Sequence, residues 1–170
     1  MFMSDNIYLI KMTQAIGRVY FKEFAIDPAV FLSGQPIHQF RYSDEWVDAY
    51  QTRYKDCEYL AIMLMDKPIG EILFKHIDHA NKTAVLSIHL QNDSVKGKGY
   101  GTVAEKLAIS YAFDKMGLSV LYADAVKNNQ RSKRVLEKVG FCLINEDNDF
   151  YYYEIRRMQQ KHLIYCQSDA

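Results

Sequence analysis

The chain of 170 residues contains few of the residues that cross-link or interrupt a polypeptide: three cysteines, three prolines and eight glycines. Cys57, Cys142 and Cys166 are odd in number and lack CxxC or metal-ligand spacing, which indicates reduced thiols rather than a disulfide framework or a metal site. The prolines and glycines form no linker. We therefore predict a single domain over residues 1–170, with 158–170 as a C-terminal tail.

Long apolar runs and an excess of one charge sign are also missing. No run approaches the ~20 residues of a membrane span, and the first residues show no cleavable apolar region, so we expect a cytoplasmic protein without membrane association. Lysine plus arginine and aspartate plus glutamate each total 21, which disfavours a nucleic-acid partner. Residues 96–138, however, hold nine basic and four acidic residues, and this local excess favours a site for a small polyanion.

Apolar residues are plentiful, at 49% of the chain, as in soluble globular proteins. Their periodicity predicts strands at residues 7–12, 59–65, 69–77, 83–90, 119–126 and 150–156. Helices are predicted from about residue 13 to 25, from a Ser43 N-cap to about 55, at 99–116 and at 130–138. A meander followed by strand–helix–strand–helix–strand indicates a mixed α/β fold.

The strongest motif lies between a predicted strand and the long helix: Val95, Lys96, Gly97, Lys98, Gly99, Tyr100, Gly101 and Thr102. Three glycines in five residues let the backbone approach a ligand closely, and free N–H groups at a helix start bind phosphate oxygens. Lys96 and Lys98 add positive charge. Gly99 after Lys98 disfavours a P-loop, and Thr102 stands where a dinucleotide fingerprint has its third glycine. A flexible turn is the alternative interpretation.

Segment 96–101 resembles the Arg/Gln-x-x-Gly-x-Gly/Ala motif of the GCN5-related N-acetyltransferases, the GNAT family. Segment 129–141, with Asn-x-x-Ser and Arg-Val-Leu-Glu-Lys-x-Gly-Phe, resembles that family's second signature and is most similar to the RimJ/RimL-like branch, which acetylates ribosomal-protein N-termini. The resemblance implies a single N-acetyltransferase domain with a central, mostly antiparallel twisted sheet of about six to seven strands flanked by helices. It also implies acetyl-CoA as co-substrate and no metal.

The same resemblance implies roles for the residues of the cofactor site. Backbone groups of Ile88, His89 and Leu90 would pair with the pantetheine arm like an added strand, with one N–H as an oxyanion hole. The segment from Val95 to Gly101, with the Thr102 hydroxyl, would hold the pyrophosphate. Asn129 and Ser132 would meet the cofactor near the thioester and sulfur, and Ser132 is also a catalytic candidate. Asn129 as a plain N-cap and Ser132 as a solvated helix residue are the alternatives.

Two catalytic residues typical of the family are missing. Leu136 occupies the region of the tyrosine that protonates the departing thiolate, and strand 83–90 offers His89 rather than a glutamate. We predict His89 as general base, because imidazole exchanges protons near neutral pH, and Glu71 on the neighbouring strand as second candidate. Each could instead be an ordinary sheet residue. The missing groups favour an α-amine acceptor, which with a pKa of ~7.7–8.0 is already partly neutral.

The acceptor side is predicted from aromatic residues. Trp46, Tyr50 and Tyr152 are candidates for a substrate wall, with packing as the alternative. We expect an enzyme in which a neutral amine, on a peptide N-terminus or a small molecule, attacks the thioester through a tetrahedral intermediate without an acyl-enzyme. An acyl-CoA-binding regulatory module with little catalysis is the competing interpretation. The oligomeric state stays open, with a homodimer among the options.

Overall fold

The computed structural model describes residues 2–4, 6–32 and 40–157, and the predicted tail lies outside this range. Over the described residues the mixed α/β class is confirmed. The elements follow in the order β1 (Phe2–Ser4), β2 (Ile7–Lys11), α1 (Gln14–Lys22), α2 (Asp44–Arg53), β3 (Glu58–Leu64), β4 (Lys67–Asp78), β5 (Thr83–Leu90), α3 (Tyr100–Asp114), β6 (Val120–Val126), α4 (Gln130–Lys138), β7 (Cys142–Glu146) and β8 (Phe150–Arg156). Short 3-10 helices form at Pro28–Val30 and Asp93–Val95.

The strands of the described residues form one eight-stranded sheet in the order β1-β2-β3-β4-β5-β6-β8-β7. Neighbouring strands are antiparallel except β5 and β6, so the predicted antiparallel character is confirmed. The sheet exceeds the expected six to seven strands because β1 and β7 pair at its two edges. Both are short, and all five residues of β7 are exposed, so no buried face marks β7 in the sequence.

The sheet opens between its two parallel strands. Only residues 83–85 of β5 pair with β6, at residues 120–122. The rest of β5 pairs with β4 alone among the described residues, and a cavity lies between residues 86–89 of β5 and residues 123–126 of β6. The backbone edge of β5 beyond Val85 therefore faces a cleft instead of a neighbouring strand.

Two apolar clusters hold the sheet and helices together. The larger contains the small residues Ala104, Ala108 and Ala112 of α3 against apolar residues of the sheet, with Phe113 fully buried. Burial of a side chain such as Phe113 stabilises the fold by roughly 1.5–3 kcal/mol. The smaller cluster joins α1 to α2 through buried Tyr20, Phe21 and Val47. Within the part of the chain that the structure describes, no helix combines the length and apolarity needed to cross a membrane.

Candidate active site

The glycine-rich loop leads into α3 with its backbone facing open space. Gly97 and Gly99 have φ values of +73° and +83°, a left-handed conformation that glycine adopts without steric cost. Gly99 is the N-cap of α3, and no side chain of the described residues bonds to the first-turn amides there. A Cβ atom at either glycine would meet no described atom within 4 Å. The free N–H groups therefore border open space, as at anion-binding helix starts.

The two lysines of the loop are placed differently from each other. Lys98 is exposed, whereas the Lys96 Nζ atom lies 2.7 Å from Asp27 Oδ2 and 2.9 Å from Asp93 Oδ1. Arg131 of α4 also reaches Asp27, at 3.2 Å. Burial alone would raise the pKa of Asp27, but the hydrogen bonds from Lys96 and the Ala29 amide, with the nearby cations, hold it below its ordinary value. The Lys96 side chain is thus engaged in joining loops rather than free to meet a phosphate.

Two cavities of about 250 Å³ each adjoin the opening between β5 and β6. Both are lined by residues of β5, α3 and α4, and by the 3-10 turn that follows α1. The shared lining comprises Val30, Ile88, His89, Glu105, Asn129 and Ser132. The first cavity also touches Leu90, Lys96 and Gly101. The structure thus brings together the three sequence segments that the resemblance assigned to one cofactor site.

His89 and Glu71 lie directly opposite each other on β5 and β4. The Nδ1 atom of His89 is 3.3 Å from Oε1 of Glu71, and the Glu71 side chain is 2% exposed against 37% for His89. The Tyr50 hydroxyl donates to Oε1 of Glu71 at 3.0 Å, and the Tyr59 hydroxyl donates to Oε2. Burial, followed by the proximity of Glu71, raises the pKa of both tyrosines far above the usual value. The two tyrosines therefore stay protonated as donors.

Asn129 and Ser132 combine a capping bond with a place in the cleft. The Oδ1 atom of Asn129 accepts a hydrogen bond from the Ser132 amide at 3.1 Å. Asn129 is therefore the N-cap of α4, as the alternative interpretation predicted. Among the described residues, no hydrogen bond of Nδ2 of Asn129 or of the Ser132 hydroxyl is found. Since both residues line both cavities, the cap and a ligand contact are compatible.

Of the three aromatic candidates, the structure brings one into the cleft. Tyr50 lines the first cavity. Trp46 lines neither cavity and stacks on Tyr50, with ring centroids 4.8 Å apart. Tyr152 lines neither cavity: its hydroxyl donates to Oδ2 of Asp147 at 2.7 Å, in the turn between β7 and β8. Strand β8 pairs beyond β6, which holds Tyr152 away from the other two.

Glu105 is a cleft residue that the sequence analysis missed. It faces both cavities from the first turns of α3 and is 2% exposed. Its Oε2 atom is buried and has no hydrogen-bond partner within the described ranges. Burial raises the pKa of Glu105 to about 8. The available signal was its spacing, next to Ala104 and three residues before Ala108 on the apolar side of the predicted helix.

Among residues 2–4, 6–32 and 40–157, no three His, Cys, Asp or Glu side chains come together to hold an ion. The shape of the cleft fits an elongated organic ligand with an anionic end. The anionic end would meet the open amides at the start of α3, and the chain of the ligand would lie along the free edge of β5. These features suit acetyl-CoA, whose phosphates would lie at the loop and whose pantetheine arm would enter the cleft.

Comparisons with known proteins agree with this geometry. Residues 7–142 match the family model of the acetyltransferase (GNAT) domain. The chain is 37% identical over 100 residues to Probable N-acetyltransferase YjcK of Bacillus subtilis, covering 56% of this chain and 55% of that protein. Over 77 residues it is 31% identical to spermidine N(1)-acetyltransferase of Escherichia coli, covering 45% and 41%. The matched segment thus spans about half the length of these curated relatives.

A solved structure extends the similarity to the whole fold. The ribosomal-protein-S5-alanine acetyltransferase from Vibrio fischeri aligns with a TM-score of 0.71, over 91% of this chain and 95% of that one. The two sequences are 17% identical, a level at which the likeness concerns the fold alone.

Proposed function

Because this chain belongs to the GNAT acetyltransferase family, we propose that it transfers an acetyl group from acetyl-CoA to a primary amine. The co-substrate supplies the acetyl group as an activated thioester. The amine attacks it directly, without an acyl-enzyme. The observation that carries the proposal is one cleft in which the buried Glu71 contacts the partly exposed His89 at the free edge of β5.

His89 acts as the general base of the reaction. The Nδ1 atom of His89 lies 3.3 Å from Oε1 of Glu71, and in the proposed reaction Nε2 is the nitrogen that takes a proton from the incoming ammonium group. Tyr50 and Tyr59 donate to Glu71 and fix that carboxylate beside the imidazole. This arrangement supplies a base on β5, where the sequence lacks the glutamate typical of the family.

The residues of the cofactor side bind and orient acetyl-CoA. The amides at the start of α3 hold the pyrophosphate, and the backbone of Ile88, His89 and Leu90 pairs with the pantetheine arm. Asn129 and Ser132 contact the end of the arm near the sulfur. The leaving thiolate, with a pKa near ~8.5, departs without a dedicated acid.

The acceptor enters beside Tyr50 and Glu71. A buried carboxylate next to aromatic rings favours an ammonium group over an anion or an alcohol. The names of similar proteins include a polyamine acceptor and a ribosomal-protein alanine, and both are primary amines. We therefore propose a primary amine, on a peptide N-terminus or on a small molecule, as the acceptor class.

The test is release of free thiol from acetyl-CoA while peptides with free N-termini, polyamines, amino acids and aminoglycosides are added one at a time. We expect amine-dependent release with at least one acceptor, and a dead His89→Ala variant. Acetyl-CoA binding without release for any amine, unchanged by His89→Ala, would instead support the regulatory module. An acetylated protein formed before any amine is added would contradict direct transfer.

A further inference from the structure

Glu105 projects from α3 into the wall that the two cavities share. Its side chain is 2% exposed, and Oε2 is buried without a partner among the described residues. Folded proteins pair nearly all such groups, because an unpaired buried polar atom is destabilising. An unpaired carboxyl group that faces a ligand cleft therefore indicates a partner that arrives with the ligand.

The protonation state of Glu105 decides what that partner is. Burial raises its pKa to about 8, so at neutral pH the group is an uncharged carboxyl with one O–H donor. Five titratable groups near it contact one another: Asp27 lies against Lys96 and Arg131, and Glu71 lies against His89. Lys75 and Asp124 line the second cavity. None of these seven forms a hydrogen bond or ion pair with Glu105 within the described ranges.

The location along α3 identifies the part of the ligand. Glu105 lies four residues, or about 6 Å, beyond Gly101, so it is deeper in the cleft than the amides suited to phosphate. A phosphate beside Glu105 would meet a carboxyl group, and the cations of the first cavity, Lys96 and Arg131, are already paired with Asp27. An uncharged chain that carries carbonyl oxygens fits better, since the lining around Glu105 includes the apolar Ile88, Leu90 and Val135.

Resting on the proposed function, we infer that Glu105 is a cofactor-binding residue whose protonated carboxyl group donates a hydrogen bond to a carbonyl oxygen of the pantetheine arm. Only the neutral form of Glu105 can donate in this way, because an ionised carboxylate only accepts. Binding of acetyl-CoA must then be coupled to the proton on Glu105, and the affinity must fall where that proton is lost.

The test measures acetyl-CoA binding by titration calorimetry between pH 6.5 and 9.5, without an acceptor amine, in buffers of different ionisation enthalpy. The variants are Glu105→Gln, which cannot ionise but still donates, and Glu105→Leu, which is apolar. Asp114→Asn is the matched control, because it changes a carboxylate to an amide on the solvent side of the same helix, where the Asp114 side chain is 61% exposed. Thermal melts of each variant check that it is folded.

For the wild type we expect the affinity to fall above pH 8, approaching tenfold per pH unit, with uptake of close to one proton on binding. Glu105→Gln should keep the neutral-pH affinity and lose both the fall and the proton uptake. Glu105→Leu should bind about tenfold more weakly at pH 7, as for a lost hydrogen bond, without the pH dependence. Asp114→Asn should follow the wild type.

Equal affinities and equal pH profiles for the wild type and both Glu105 variants would overturn the inference. Release of a proton on binding would also overturn it, because the ionised form would then be the binding form. In either case thiol release by the wild type would leave the proposed function standing. Failure of the wild type to bind acetyl-CoA at any pH would overturn the proposed function as well.

Discussion

The two sides of the cleft are built on different principles. On the cofactor side, small residues such as Ala104 and Ala108 set α3 close to the sheet, and backbone groups of the glycine loop and of β5 face the cleft. On the acceptor side, aromatic rings of α1 and α2 pack edge to face, with Phe21 and Tyr50 centroids 5.0 Å apart. The first side relies mainly on backbone conformation, and the second on side chains.

This difference explains why the sequence predicts the ligand of the cofactor side better than the ligand of the acceptor side. A left-handed glycine or a helix start has the same chemistry in any chain that forms it. An aromatic wall depends on which rings meet across two helices, and their spacing equally fits plain packing. The cofactor class is consequently readable from the sequence, whereas the acceptor is not. Three predictions examine the contrast, from the largest expected effect to the smallest.

The largest effect is expected where the two sides meet, at His89. Replacing it with alanine removes the proposed base, and we expect kcat to fall by about 100- to 10,000-fold. Binding of acetyl-CoA should be retained, because the residue contributes backbone groups to the cofactor. The measurements are thiol-release kinetics with the best acceptor and calorimetric titration of acetyl-CoA.

His79→Ala is the matched control for this change, since His79 is exposed in the turn between β4 and β5 and lines neither cavity. We expect it to keep the wild-type kcat. If His89→Ala keeps full kcat as well, the base assignment is wrong and the acceptor amine must lose its proton by another route.

What the sequence predicted follows the same division. The glycine loop and α4 could be predicted because left-handed turns and helix caps leave local signals. His89 and Glu71 were predicted singly, but their contact depends on the register of β4 against β5, which non-local pairing decides. The extra strand β7 was missed because an exposed edge strand shows no apolar alternation.

Two other residues show the limits of reading side chains from a single sequence. Tyr152 was predicted near the substrate, but the strand order carries β8 to the far side of β6. Glu105 is one of the four acidic residues counted in segment 96–138. An acidic residue on a helix is usually exposed to solvent, yet the structure buries this one. Which face of α3 meets the sheet is a tertiary property, so the local composition could not reveal it.

The second prediction concerns the stability of the cofactor side. With its pKa raised to about 8 from an ordinary 4.5, Glu105 keeps its proton when folded and loses it when unfolded between these pH values. The unfolded state then binds fewer protons, so the free energy of unfolding falls as pH rises, by about 1.4 kcal/mol per pH unit. The contribution of the protonated Glu105 to the free energy of unfolding is fully present below about pH 4.5 and is lost by about pH 8.

Glu105→Leu removes this dependence. In urea unfolding, we expect the free energy of unfolding of Glu105→Leu minus that of the wild type to increase by about 3 kcal/mol between pH 5.5 and 8.5. Because the comparison is with the wild type at each pH, the depressed pKa values of Asp27, Asp78 and Asp147 cancel. A difference that is the same at every pH would show that Glu105 titrates as an ordinary exposed acid.

The smallest effect is expected when the glycines at the two ends of α3 are each replaced by alanine. Comparing the two variants distinguishes the cost of backbone strain from the loss of a ligand contact. Gly99 and Gly117, with φ values of +83° and +70° at opposite ends of α3, have no atom of residues 2–4, 6–32 or 40–157 within 4 Å of the place where a Cβ would stand. Alanine should cost either site about 1–2 kcal/mol of stability, seen as a shift of a few degrees in Tm. Only Gly99→Ala should also weaken acetyl-CoA binding, because its methyl group enters the space beside the α3 amides. Equal affinities for the two variants would mean that the phosphates bind elsewhere.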